Sequence, residues 1–442
     1  MMNDQRRTNI RWIVLALILV ASFVSYSLRL NMSIVAEAMM SDLGFDAIQL
    51  GTIAAAFALG YAIFQFPGGV LGTRFGARRV VAIAAVAWGV LAIAVALVPG
   101  SDVLSVGAIV WTLVVIRFLV GATHAPIFPC TSGGTIANWF PVGSWGLPNG
   151  LQSTGLTLGA AATAPLLVWL LESFGWRNAL LYTSPTAFVL AAVWWWYVRD
   201  YPKEHSRVNE AELELIDAGR PPPEVEKKDG SWKVALANRD ILLLTISYFC
   251  MNYVFYLFFA WFFIYLVDVR GFPNQQAGLF TSAQWILGAV GATAGGFLCD
   301  SMIRKYGFRL GPRWLAGCSL LLCGIFLFAG AVASNVVLAV IFLCISFGCT
   351  QLTEASYWTA AISIAGRYAA EASGIMNTGG NLVGFFGGLM VPLIAGSFGW
   401  TAAVATGSVF AFAGAALWLF IRADEPMIES EAVVPAKTVH AG

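Results

Sequence analysis

The sequence predicts an all-α integral membrane protein, with twelve transmembrane helices in two pseudo-symmetric six-helix bundles. Three observations lead there. Of the 442 residues, 59% are hydrophobic and only 11% charged, whereas about a quarter are charged in an ordinary soluble domain. Apolar runs near the length that crosses a bilayer recur from one end of the chain to the other. Short motifs of the first half also return about half a chain later.

Taken in order, the spans lie near residues 11–36, 48–71, 79–98, 105–136, 145–171 and 178–198, then 240–267, 275–303, 314–332, 335–362, 370–395 and 401–421. Arg6, Arg7 and Arg11 precede the first apolar run, as in a signal peptide. No small-residue cleavage site follows, so the run reads as a retained first membrane helix. Several spans exceed the minimum crossing length, which fits tilted or cavity-lining helices. The one long polar stretch, about 200–237, contains Pro221-Pro222-Pro223 with interleaved Lys and Glu. It reads as a linker with one surface helix in Asn209–Ala218. The expected organisation is a bundle over 1–199, a cytoplasmic linker over 200–237, a second bundle over 238–424 and a polar cytoplasmic tail over 425–442.

Charge placement orients the spans. Arg74, Arg78 and Arg79 follow the second span, and Arg304, Lys305, Arg309 and Arg313 follow the eighth; the terminus, the linker and Arg367 fall on the same side. The opposite side carries Asp42, Asp46, Asp102, Glu172 and Asp268, with Arg177 and Arg270 as its few cations. An excess of Lys and Arg marks the cytoplasmic side, so both termini and the linker are expected there, in a multi-pass protein of the cytoplasmic (inner) membrane. A net charge of +1 gives no reason to expect a nucleic acid partner. The seven cysteines lie in or beside apolar segments without metal-ligand spacing to the few histidines, so free buried thiols are expected, with no metal and no cofactor. No phosphate-binding Gly-x-x-x-x-Gly-Lys-Ser/Thr loop is present, which disfavours ATP-driven pumping, and no nucleophile–base set points to an enzyme. The run Trp194-Trp195-Trp196 at a span end fits an interfacial belt.

The repeats are specific. Ser173-Phe-Gly-Trp176 returns as Ser397-Phe-Gly-Trp400, and Gly69-Val-Leu-Gly-Thr-Arg-Phe-Gly-Ala-Arg-Arg79 pairs with Gly296-Phe-Leu-Cys-Asp300 and the following Arg304-Lys-Tyr-Gly-Phe-Arg309. Parallel six-helix repeats are a known plan for transporters, with the substrate held between the halves near the midplane. Within this frame the chemistry concentrates in Arg117-Phe-Leu-Val-Gly-Ala-Thr-His124-Ala-Pro-Ile-Phe-Pro129. Arg117 and His124 are two helical turns apart and project from one face. Charge inside the membrane is expensive, so that face should look into the bundle or a watery cavity; a snorkelling Arg117 with a packing His124 is the structural alternative.

On the 69–79 loop the sequence resembles the major facilitator superfamily over essentially its whole length. Thr73 stands where that superfamily has an acidic residue of an inter-half latch, which implies a weakened latch; Asp300 keeps the acid in the second copy. A narrower resemblance is to the anion:cation symporter family, which includes hexuronate and galactonate–proton symporters. It rests on Ser25-Tyr-Ser-Leu-Arg-Leu-Asn-Met-Ser33, Arg117 with Ala-Pro-Ile-Phe-Pro129, Asn138-Trp-Phe-Pro141 and Asn377-Thr-Gly-Gly-Asn381-Leu-Val-Gly384. The resemblance implies that Tyr26 and Arg29 contact a carboxylate, which the guanidinium fork can meet with two charge-assisted bonds. It implies that Tyr61, Trp358 and Asn381 line the cavity. Arg74, Arg78, Asp300 and Arg304 are expected at the cytoplasmic gate.

Two departures bear on coupling. Related proton symporters have Asp before the first arginine and Glu seven residues after the second; here those positions hold Leu28 and His124. A proton-linked carrier still needs a titrating group, and His124 or Glu354 can serve. Glu354 could instead be paired with Arg29 or Arg117. The sequence therefore predicts a monomeric secondary transporter that imports a small organic anion with protons. Exchange or uniport without proton coupling, efflux of acidic compounds, and a non-transporting membrane sensor remain as alternatives.

Overall fold

The computed structural model describes residues 6–220 and 231–427, which are helical with no strand among them. The prolines at 221–223 and the tail beyond 427 lie outside the described residues. Nine apolar helical stretches among the described residues are long enough to cross a bilayer. Three of them, Gly146–Tyr197, Gln275–Val332 and Val336–Gly384, run for 52, 58 and 49 residues, about twice a single crossing. Each contains a glycine at positive φ, Gly175, Gly307 or Gly366, where the chain turns back. The nine stretches, three of them doubled, make twelve crossings.

In order these are α1 (Ile10–Leu43), α2 (Ala47–Phe75), α3 (Ala77–Ala96), α4 (Val106–Trp139), α5 (146–174), α6 (176–197), α7 (Arg239–Val269), α8 (275–306), α9 (308–332), α10 (336–365), α11 (Ala369–Phe398) and α12 (Trp400–Trp418). The sequence repeats are also conformational repeats. Gly175 (φ 78°, ψ 165°) and Gly399 (φ 85°, ψ 162°) sit in the two Ser-Phe-Gly-Trp copies. Gly76 (φ 88°, ψ 141°) and Gly307 (φ 75°, ψ 176°) sit in the two basic loops. This backbone region is open essentially to glycine alone, which lets two long helices abut with almost no loop. The spacings, 399 − 175 = 224 and 307 − 76 = 231, set the offset between the halves.

Within the first half α1 packs on α5, α2 on α4 and α3 on α6; within the second α7 packs on α11 and α12, and α10 on α8. Two seams join the halves, α5 against α8 and α2 against α11. Both rest on bare backbone. A Cβ on Gly150 would stand 2.5 Å from the Ala292 carbonyl oxygen, and one on Gly374 would stand 2.9 Å from that of Gln65. Helices in lipid associate through such close approach.

The polar segment between the halves is anchored to the first. Asn209 caps the short helix Glu210–Asp217 by accepting from the Glu212 amide. Glu212 is fully buried and in turn caps α1: it accepts from the Ile10 amide (2.9 Å), the Arg11 amide (3.2 Å), the Thr8 hydroxyl (2.6 Å) and the Arg11 guanidinium (3.2 Å). At the other end of the segment Arg220 donates to the carbonyls of Ala137, Asn138 and Phe140 at the end of α4. An acid at a helix N-terminus and a cation at a C-terminus each complement the helix dipole. His205 packs under the rings of Trp139 and Tyr197, and burial, then Arg199 and Arg207, hold its pKa below the usual imidazole range.

The seven cysteines are free, but Cys318 is exposed and Cys344 half-buried, so burial is not general. In the tryptophan run Trp194 is buried while Trp195 and Trp196 are exposed, so two of the three can form a belt. Glu212→Ala leaves two helix-terminal amides and Arg11 without this partner, a loss of about 3 kcal/mol. The thermal midpoint of the purified protein should fall by several degrees, whereas Glu210→Ala, exposed on the same helix, should leave it in place.

Candidate substrate cavity

Side chains from both halves converge on a narrow cavity lined by Tyr26, Tyr61, Phe128, Ser153, Leu156, Tyr248, Asn252, Phe255, Gln351, Glu354, Trp358, Asn377 and Asn381. Arg29 stands one ring layer behind this wall, 7% exposed. Its guanidinium donates to the hydroxyls of Tyr26 (3.2 Å) and Tyr256 (3.3 Å). It also lies over the rings of Tyr61 (4.5 Å), Tyr26 (5.0 Å), Phe57 (5.1 Å) and Phe259 (5.7 Å). No carboxylate pairs with it among the described residues. Four ring faces attract the cation, but they do not neutralise it, and an anion reaching this point would find a preformed field.

The contact to Tyr256 crosses from one half to the other and starts a hydrogen-bonded chain. The Tyr256 hydroxyl donates to Asn381 Oδ1 (2.7 Å), Asn381 Nδ2 donates to Asn377 Oδ1 (2.9 Å), and Asn377 Nδ2 donates to Gln65 Oε1 (2.7 Å) on α2. Asn381 is thus in the wall, as the sequence suggests, but its amide is already engaged.

Glu354 lies at a break in α10, where Thr353 tightens the turn by bonding back to Thr350. Its carboxylate is 8% exposed and accepts from Trp358 Nε1 (2.8 Å) and from the Tyr248 hydroxyl (3.3 Å). The ion pair with Arg29 or Arg117 that the sequence left open is not formed. Trp358 also packs on Phe128, a contact of 5.5 Å between ring centres across the halves.

Arg117 and His124 share a face, as their spacing requires, but not the central cavity. They line a second, smaller void inside the first half, with Leu28, Asn31 and Trp88. Phe57 separates the two arginines: Arg117 lies 4.7 Å from its ring centre and Arg29 5.1 Å. Arg117 is 6% exposed and its Nε has no partner among the described residues. His124 stacks on Trp88 (4.5 Å) and bonds through Nδ1 to the Val120 carbonyl (2.8 Å). It ends the regular part of α4. Pro126 and Pro129 follow, and the chain widens to a π-helix over Pro129–Ile136, a distortion common at functional positions.

The expected gate residues separate into two groups. Asp300 bridges the halves: its carboxylate accepts from the amides of Gly146 (2.7 Å) and Leu147 (3.0 Å), capping α5. Arg78 stays on its own half, over the Trp195 ring (4.6 Å) and bonded to the Trp195 carbonyl. Arg304 donates to Ser301 on its own helix, and Arg74 lies over Phe75. Thr73 also reaches across the halves. Its hydroxyl donates to Glu371 Oε2 at 2.6 Å, in the first turn of α11.

Tyr256, Gln65 and Phe57 were not singled out in the sequence. The repeat carried a signal for Tyr256, because 256 − 29 = 227 lies within the offset between the halves. Phe57, inside an apolar run, carried none. Thr73→Asp sets a second carboxylate against Glu371 and should open this seam. Labelling of a cysteine in place of Ser373, a near-isosteric change at a fully buried position of α11, should then rise severalfold over the same cysteine in the parent, and adding Glu371→Ala should reverse the rise.

Comparison with known proteins agrees with this architecture. The chain is 31% identical over 309 residues to a protein of Bacillus subtilis named as a probable galactarate/D-glucarate transporter, GudP, covering 68% of this chain and 67% of the relative. It is 30% identical over 386 residues to a Cupriavidus necator protein named as a probable sulfoacetate transporter, SauU, covering 86% of each. A solved structure of the proton:xylose symporter XylE superposes with a TM-score of 0.77 over 97% of this chain and 98% of that one, at 14% identity, a likeness of fold alone. Residues 15–309 match the sequence profile of the Major Facilitator Superfamily, and the chain belongs to that family of multi-pass membrane transporters.

Proposed function

We propose that the chain takes a small organic anion, a carboxylate, into the cell with a proton, by alternating access between its two six-helix halves. The observation that carries this reading is Arg29: a buried cation between the halves, with only phenol hydroxyls and ring faces around it. A charge in that position is rare and usually functional, and a guanidinium is suited to a carboxylate. The relatives' names, galactarate/D-glucarate and sulfoacetate, describe small organic anions, which supports the same class.

The roles follow from position. Arg29 anchors the anion with Tyr26 and Tyr61, while Trp358 and Asn381 form the facing wall. Glu354 carries the proton, because it lines the same cavity and is held only by neutral donors. His124 is the weaker candidate for coupling, since it faces the second void with Arg117. Asp300 capping α5 and Thr73 bonded to Glu371 hold the seams on the side of the linker, which the basic loops assign to the cytoplasm.

Uptake of labelled carboxylates, D-glucarate among them, into proteoliposomes tests the reading. An inward proton gradient should raise accumulation at least tenfold. Arg29→Gln should abolish both accumulation and exchange. Glu354→Gln should abolish gradient-driven accumulation yet retain exchange, because a permanently neutral side chain mimics the protonated carrier. Accumulation that ignores the gradient would replace symport with exchange or uniport.

A further inference from the structure

We propose that the substrate is a monocarboxylate with a flat, largely apolar body and no more than one or two hydroxyls, a hydroxyaryl carboxylate rather than a sugar diacid. This rests on the organic-anion reading of the cavity and narrows it on three grounds.

The first is charge. No Lys or Arg lines the cavity among the described residues; Arg29 stands directly behind its wall, and Phe57 screens Arg117 from it. The wall also carries Glu354. One carboxylate on Arg29 with a proton on Glu354 leaves the loaded cavity neutral. A second anionic group would remain uncompensated in a setting where charge must be paired.

The second is hydrogen-bonding capacity. Asn377 and Asn381 are committed to Gln65, Tyr256 and each other, and Asn252 donates to the Tyr248 carbonyl of its own helix. Two fully buried oxygens of the lining, Ser153 Oγ and Gln351 Oε1, have no partner among the described residues. They suit one or two hydroxyls. A sugar acid brings several, each needing a partner when desolvated.

The third is shape and surface. Tyr26, Tyr61, Phe128, Tyr248, Phe255 and Trp358 present rings to the cavity. Such rings offer offset-stacked and edge-to-face contacts to a flat π-face.

The test is ligand titration of the purified full-length protein by intrinsic tryptophan fluorescence, at matched ionic strength, with 4-hydroxyphenylacetate, phenylacetate, D-glucuronate, D-glucarate and sulfoacetate. The expected result is that 4-hydroxyphenylacetate binds at least tenfold more tightly than D-glucuronate, which has the same charge and more hydroxyls. It should bind at least a hundredfold more tightly than either dianion. Gln351→Leu should remove the advantage of 4-hydroxyphenylacetate over phenylacetate. D-Glucarate, sulfoacetate or D-glucuronate binding as tightly as the aryl acids would overturn the substrate class while leaving an organic-anion carrier in place. Failure of all five to bind would overturn both readings.

Discussion

The structure depends on the burial of one guanidinium. Removing a charge from water costs several kcal/mol even after the protein relaxes, and a ring face returns about 0.5–2 kcal/mol. Arg29 has four such faces and two phenol oxygens. That is enough to hold it in place and too little to satisfy a cation with five donors. The residual field is directed at the point where the halves meet. One of the two hydroxyls, that of Tyr256, belongs to the opposite half and continues into the chain through Asn381 and Asn377 to Gln65. A ligand that takes over the arginine therefore acts on a contact between the halves, which gives binding a route to the seams.

Those seams combine bare backbone with a few side-chain contacts. Gly150 faces Ala292 and Gly374 faces Gln65, while Thr154 bonds to Thr293 and Trp358 packs on Phe128 across the halves. Directional closure comes from Asp300 on the α5 amides and from Thr73 on Glu371. One seam uses an acid on a helix terminus, and the other uses an acid already placed at the terminus and a hydroxyl that reaches it. Both arrangements put a negative charge near positive helix ends, which explains how Thr73 can occupy an acidic position without loss of the contact.

The fold was legible in the sequence because the bilayer permits few solutions. Backbone groups in hydrocarbon must bond internally, so length and hydropathy alone locate the crossings, and the glycines of Ser173-Phe-Gly-Trp176 and its copy locate the reversals. The site was legible where charge broke an apolar run, at Arg29, Arg117, His124 and Glu354. What remained hidden was partition. Helical spacing puts Arg117 and His124 on one face, but whether that face meets the central cavity depends on how α1 and α2 pack, and Phe57 decides it. No local pattern distinguishes that phenylalanine from its neighbours. The same limit applies to Thr73, whose partner lies 298 residues away in sequence.

The repeat also shows how the two halves divide the work. Arg29 and Tyr256 are separated by 227 residues, Thr73 and Asp300 by 227, and His124 and Glu354 by 230, all within the offset set by the repeated glycines. At each pair one scaffold carries different chemistry. The first half keeps fixed positive charge, Arg29 behind the central cavity and Arg117 on the second void. The second half keeps a phenol opposite Arg29 and a carboxyl at the break in α10, where it can gain or lose a proton without disturbing an ion pair. A carrier with the same groups on both sides would bind anion and proton in competing places. In the symport proposed above, the anion settles on one bundle and the proton on the other, so that the central cavity is neutral when both or neither are bound and charged when only one is. A neutral cavity is the state in which the halves can rock past each other without dragging an unpaired charge through the membrane.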